Sequence, residues 1–251
     1  MPAEAPVALI TGAARRIGAA IARELHGAGL RVLIHCRESL ATARELCAQL
    51  QSIRADSAAV LTADLADLAQ VRKLASAAVN HWGRLDALVN NASAFYPTPL
   101  AEAGIAEWDD LMASNLKAPF FLCRDLAPAL AQSGGAIVNI ADIHGLRPLP
   151  EHAIYCIAKA GNMMLTRVMA RELAPRVRVN GIAPGAILWP ENPASADASA
   201  QQKILHSIAL GRLGAVADIA RLTRFLLTDA SYVTGQVIAV DGGAHLALAT
   251  A

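Results

Sequence analysis

Short apolar runs alternate with longer helical patterns along nearly the whole chain, and no other feature restricts the fold as tightly. Residues 7–10, 32–34, 58–61, 87–89, 137–140, 177–179 and 237–240 read as buried strands. Residues 17–28, 40–53, 68–82, 108–131, 153–173 and 217–227 read as helices between them. Strands that alternate with helices imply right-handed βαβ crossovers, hence an α/β fold with one parallel sheet of about seven strands covered by helices on both faces. Gly and Pro punctuate the junctions and no Pro- or Ser-rich linker separates them, which predicts a single domain over residues 1–251. One stretch breaks the pattern. Residues 189–197 carry Pro190 and Pro193 among small polar residues, and a mobile loop over a site, about 186–205, is expected there.

Composition narrows the classes of function. A net charge of +1 argues against nucleic acid or an anionic membrane as the main partner. The chain is 55% hydrophobic, yet no segment stays apolar and uncharged long enough to span a bilayer. Residues 1–6 place no basic segment before an apolar run, so no cleaved leader is expected. Cys36, Cys47, Cys123 and Cys156 are scattered and form no C-x-x-C pair, which suits reduced thiols in the cytoplasm. The seven histidines show no metal-type spacing, so no metal is expected. A cytoplasmic protein handling a small molecule remains.

Three groups of residues carry chemistry. Thr11-Gly12-Ala13-Ala14-Arg15-Arg16-Ile17-Gly18 follows the first strand and opens the first helix, where backbone N–H groups can meet a pyrophosphate. The second strand ends in Ile34-His35-Cys36-Arg37-Glu38-Ser39. No acid sits at the strand end to accept from a ribose 2′-hydroxyl, and Arg16 with Arg37 can clamp a 2′-phosphate, so NADPH/NADP+ is favoured over NAD. A one-residue slip would put Glu38 in the acid's place. Tyr155 and Lys159 share a helix face at i and i+4, so the ammonium can lie beside the phenol and lower its pKa for proton transfer. Asp142 ends the fifth strand, thirteen positions upstream.

Together these motifs resemble the short-chain dehydrogenase/reductase family from Val7 to about Gly243. The resemblance implies a Rossmann-type doubly wound sheet and hydride transfer with a nicotinamide cofactor. Two positions depart from the usual pattern: Arg16 replaces a glycine of the turn, and Asp142 replaces a serine. Both departures are similar to the pteridine reductase branch. A carboxylate cannot donate to a ketone oxygen, so Asp142 points to a substrate with N–H donors, such as a pterin or dihydrofolate.

The resemblance also implies roles. Tyr155 would donate a proton, Lys159 would hold the nicotinamide ribose, and Asn115 would support the lysine through water. His35 would join the NADPH site; Asp64 and Leu65 would flank the adenine. Asn91, Ala92 and Ser93 would line the ribose and nicotinamide, and Pro184-Gly185 would approach the nicotinamide. Ser93 and Phe95 would contact the pterin, with Trp189 as a further pocket residue. A homotetramer through the two long helices, 108–131 and 153–173, would be the assembly. Two other readings stay open: reduction of a ketone or a 3-ketoacyl thioester, and a dinucleotide-binding redox sensor without turnover.

Overall fold

The computed structural model describes residues 5–189 and 198–246. Seven strands, β1 (Val7–Ile10), β2 (Arg31–Cys36), β3 (Ala58–Thr62), β4 (Ala87–Asn90), β5 (Ala136–Ile140), β6 (Arg178–Pro184) and β7 (Val237–Val240), form one sheet. Its order is β3-β2-β1-β4-β5-β6-β7 and every pairing is parallel. The helices are α1 (Arg16–Gly27), α2 (Leu40–Ile53), α3 (Leu68–Trp82), α4 (Ile105–Met112), α5 (Ala118–Ser133), α6 (Ala153–Glu172), α7 (Ala198–Ser207) and α8 (Val216–Thr228). The architecture is the expected doubly wound α/β fold.

The two-residue period of a strand divides each buried run between two cores. On β1, Ala8 and Ile10 join a core with α1, α2 and α8, whereas Val7 and Leu9 join a second core with α3, α5 and α6. Local signals set the helix ends. The Asp67 carboxylate accepts from the Ala69 and Gln70 amides to start α3, a cap worth about 1 kcal/mol. Gly83 closes the same helix with φ 70°, a conformation open to glycine.

Three elements differ from the sequence reading. The run expected at 177–179 continues through Pro184, because Gly181 leaves room for Val237 of β7 and Asn180 spends its amide on Val233 and Gln236. The helix expected over 108–131 begins at Ile105 and is interrupted by a π-turn at Ala113–Lys117. Finally, residues 198–205, expected within a loop, belong to α7. The prolines of that stretch lie outside the described residues.

Candidate active site

Strand order reverses between β1 and β4, and a cleft opens at the carboxyl ends of the strands, as the topology of such sheets dictates. It has two connected chambers. A glycine-turn chamber of about 460 Å³ lies over β1 and β2, and a tyrosine chamber of about 810 Å³ lies over β5 and β6. Arg15, Arg16, Ile17, Asn91 and Ser93 line both.

Backbone and buried amides build the first chamber. Gly12 has φ 61°, and a Cβ there would lie 2.8 Å from Ala92 Cα. A Cβ on Gly18 would collide with the Gly12 carbonyl and stand 2.6 Å from Asn91 Nδ2. Asn91 pins the turn by donating from Nδ2 to the Thr11 and Gly12 carbonyls, while Thr11 Oγ1 accepts from the Asn91 and Ala92 amides. His35 locks the turn from the other side. Its Nδ1 accepts from the Gly12 amide at 3.2 Å and its Nε2–H donates to the Ala63 carbonyl at 3.1 Å. Burial pushes this imidazole down to about 4, so it is neutral at neutral pH. Both ring nitrogens are thus taken by the fold, and His35, expected in the cofactor site, lines the chamber while bracing the turn.

The same chamber gathers three guanidinium groups, Arg15, Arg16 and Arg37, together with Asp64 and Leu65. Arg16 takes φ 52° where the family has glycine, a strained backbone for a long side chain. Arg37 follows the last residue of β2 and pairs through Nε with Glu38 at 3.1 Å, both side chains being exposed. Glu38, the alternative ribose partner, does not line the chamber. No side chain caps α1, so its N-terminal amides face this space. A glycine cradle, open helix amides and three cations fit the phosphates of a nicotinamide dinucleotide.

Side chains build the second chamber. Asp142 divides its oxygens between two tasks: Oδ1 accepts from the His144 amide and Oδ2 accepts from the Tyr155 hydroxyl, each at 2.8 Å. It is both a turn cap and the partner of the phenol. Lys159 Nζ donates to the Ile140 carbonyl at 3.0 Å and lies 5.6 Å from the centre of the Tyr155 ring. Burial lowers the ammonium to about 8, against an opposing pull from Asp142. The expectation that Lys159 lowers the Tyr155 pKa does not hold here. Burial first, then the charge and hydrogen bond of Asp142, raise the phenol. The hydroxyl therefore keeps its proton, as a proton donor must.

Other expected residues distribute unevenly. Phe95, Pro184 and Gly185 line the tyrosine chamber. Gly185 is required there, since a Cβ would stand 2.5 Å from Asp241 Cβ. Ala92 lines the glycine-turn chamber and Ser93 lies at the junction, where its Oγ donates to Asn115 Oδ1 at 2.7 Å. Asn115 sits in the π-turn, buried, and lines neither chamber. Its side chain bonds Ser93, Ala94 and Leu111, and its carbonyl accepts from Asn162 Nδ2 at 3.0 Å. Trp189, expected at the substrate, does not line the chamber, whereas its neighbour Leu188 does. Sequence reasoning missed Arg15, His144, Leu149, Ile187, Leu188, Ile204, Ser207 and Ile208. Only Arg15 had a local signal, its place inside the glycine turn.

A profile of the family described as enoyl-(acyl carrier protein) reductase matches residues 12–245. Pteridine reductase 1 of Leishmania tarentolae is 36% identical over 284 aligned positions, covering 96% of this chain and 97% of its own. A putative ketoacyl reductase 2 of the granaticin polyketide synthase from Streptomyces violaceoruber is 36% identical, covering 97% of each chain. The 3-oxoacyl-acyl-carrier-protein reductase FabG of Staphylococcus aureus strain Mu50 is 38% identical, covering 95% of this chain and 98% of its own. With a doubly wound sheet, a glycine turn at its switch point and reductases as full-length relatives, the chain belongs to the short-chain dehydrogenase/reductase family of nicotinamide-dependent oxidoreductases.

Proposed function

We propose that this single-domain oxidoreductase reduces pterin-like substrates with NADPH. One observation carries the reading: the proton-bearing hydroxyl of Tyr155 is hydrogen-bonded to a carboxylate, Asp142, rather than to a hydroxyl. A serine in that place would donate to a ketone oxygen; Asp142 accepts. A pterin brings amino and ring N–H donors that satisfy Asp142 Oδ2. Once they take that oxygen, the Tyr155 hydroxyl is released to give its proton to a ring nitrogen. The phenolate left behind lies on the side of Lys159, whose Nζ is 5.6 Å from the ring centre. NADPH, when bound, supplies the hydride. Phe95, half exposed on the chamber wall, offers a face for a flat ring.

Arg16 and Arg37, with no acid lining the strand end, support NADPH over NADH. Ile157, Met164 and Val168 are exposed apolar residues on α6, as Phe120 is on α5, and support a homotetramer through these two helices. Four free cysteines suit the cytoplasm. A second reading, reduction of a 3-ketoacyl thioester, is favoured by the ketoacyl reductase relatives at 36% and 38% identity. NADPH and NADH oxidation measured with biopterin, dihydrobiopterin, dihydrofolate and an acetoacetyl thioester separates the two. Turnover of a pterin with NADPH is the expected result, and turnover of the thioester alone rejects it. Sedimentation of the same preparation should show a mass above one chain; a monomer removes the tetramer.

A further inference from the structure

Phe95 is 55% exposed, yet its ring is held on two sides. It stacks on the His152 imidazole with centroids 4.7 Å apart and planes 15° from parallel. It also meets Tyr155 edge-on, at 4.8 Å and 75°. Phe95 lines the tyrosine chamber and His152 does not, so the imidazole backs the phenyl ring from outside. The chain beyond Phe95 is tied down at the same place. Thr98 forms a short parallel bridge with His152, and its amide donates to the Glu151 carbonyl at 2.5 Å.

His152 is itself fixed. Its Nδ1–H donates to the Pro150 carbonyl at 2.8 Å, its amide to the Leu149 carbonyl at 3.3 Å, and its carbonyl accepts from the Cys156 amide at 3.0 Å. That last bond belongs to the first turn of α6, the helix that carries Tyr155. One residue therefore joins the loop bearing Phe95 to the helix bearing the proton donor.

We propose that His152 is a positioning residue that determines specificity, holding Phe95 as a preformed platform for a flat conjugated ring. The proposal rests on the pterin reading above. A phenyl group exposed on a loop would otherwise have to be ordered each time a substrate binds, at the expense of affinity. His152 lines neither chamber, so it acts on substrate affinity through Phe95 and not on the chemical step.

Steady-state kinetics of the full chain with dihydrobiopterin and NADPH test this. In His152→Ala the KM should rise about threefold to tenfold, the range that an aromatic pair of this geometry accounts for, with kcat and NADPH affinity little changed. His152→Phe, which keeps a ring behind Phe95, should restore the KM. Phe95→Ala should raise KM as well, and adding His152→Ala to it should bring no further rise. An unchanged KM in His152→Ala, a fall in kcat and NADPH affinity together, or independent effects in the double variant would overturn the role of His152. Absence of pterin turnover in the unaltered protein would instead overturn the flat-ring reading on which it rests.

Discussion

The glycine-turn chamber and the tyrosine chamber share a wall but are built on opposite plans. The first is assembled from backbone at close approach, with His35, Asn91 and Thr11 spending their side chains on the turn itself. The second is assembled from side chains of several separate segments: Phe95, residues 140–149, Tyr155 and Lys159, residues 184–188, and α7. Backbone geometry tolerates almost no change, so that chamber can serve only one kind of ligand. A wall of side chains can be altered one residue at a time, which is how a common hydride chemistry acquires different substrates.

The contrast can be broken at Gly18. If the first chamber depends on backbone contact, Gly18→Ala drives a methyl group into the Gly12 carbonyl. Overpacking of this kind costs typically 1–3 kcal/mol, about 3 or more where backbone must move. Loss of NADPH binding in titration calorimetry is expected, and wild-type affinity would show that the turn yields.

Acid sharpens it next. The His35 pKa falls from 6.5 to about 4 on folding, so the unfolded chain takes up a proton first as pH drops. The stability that neutral His35 contributes is present above pH 6.5 and is lost as pH falls from there toward 4. At about 1.4 kcal/mol per unit this amounts to roughly 3 kcal/mol. Urea unfolding at pH 7 and pH 5 should show a drop that His35→Asn lacks; equal drops would remove His35 from the account.

The smallest effect belongs to the exposed rim. Arg37→Ala should weaken NADPH by about 1.5–3 kcal/mol, the value of one charge-assisted bond, and leave NADH nearly untouched. Equal losses for both cofactors, measured by fluorescence titration, would take Arg37 away from the 2′-phosphate.

The difference between the chambers also explains what could be read from the sequence. β1 and β7 match the expected ranges because their apolar runs are uninterrupted. β6 was read short because Asn180 and Gly181, polar and small, look like a turn until β7 lies beside them. The glycine turn is contiguous, and so is the Tyr155–Lys159 pair, so both were visible. Ile187, Leu188, Ile204 and Ile208 meet only through the fold, and as single apolar residues they have no signature. Asn115 was assigned by resemblance, and its local bonds to Ser93 and Ala94 depend on a π-turn that helical periodicity does not reveal. Asp142 caps a turn with one oxygen and meets the Tyr155 hydroxyl with the other, a division that strand-end position alone does not reveal.

That division makes Asp142→Ser the most direct test of the account. A serine hydroxyl can still cap the turn, and Gly12, Arg16, Arg37 and Lys159 remain, so NADPH binding should change little. The carboxylate proposed to receive substrate N–H groups is gone, however, and dihydrobiopterin reduction should fall by about 10²–10⁴, the usual contribution of general acid–base catalysis. Activity toward a small diketone should hold or rise, because serine donates to a carbonyl oxygen. Undiminished pterin turnover in Asp142→Ser would show that Asp142 is a turn cap alone, and would contradict the central claim.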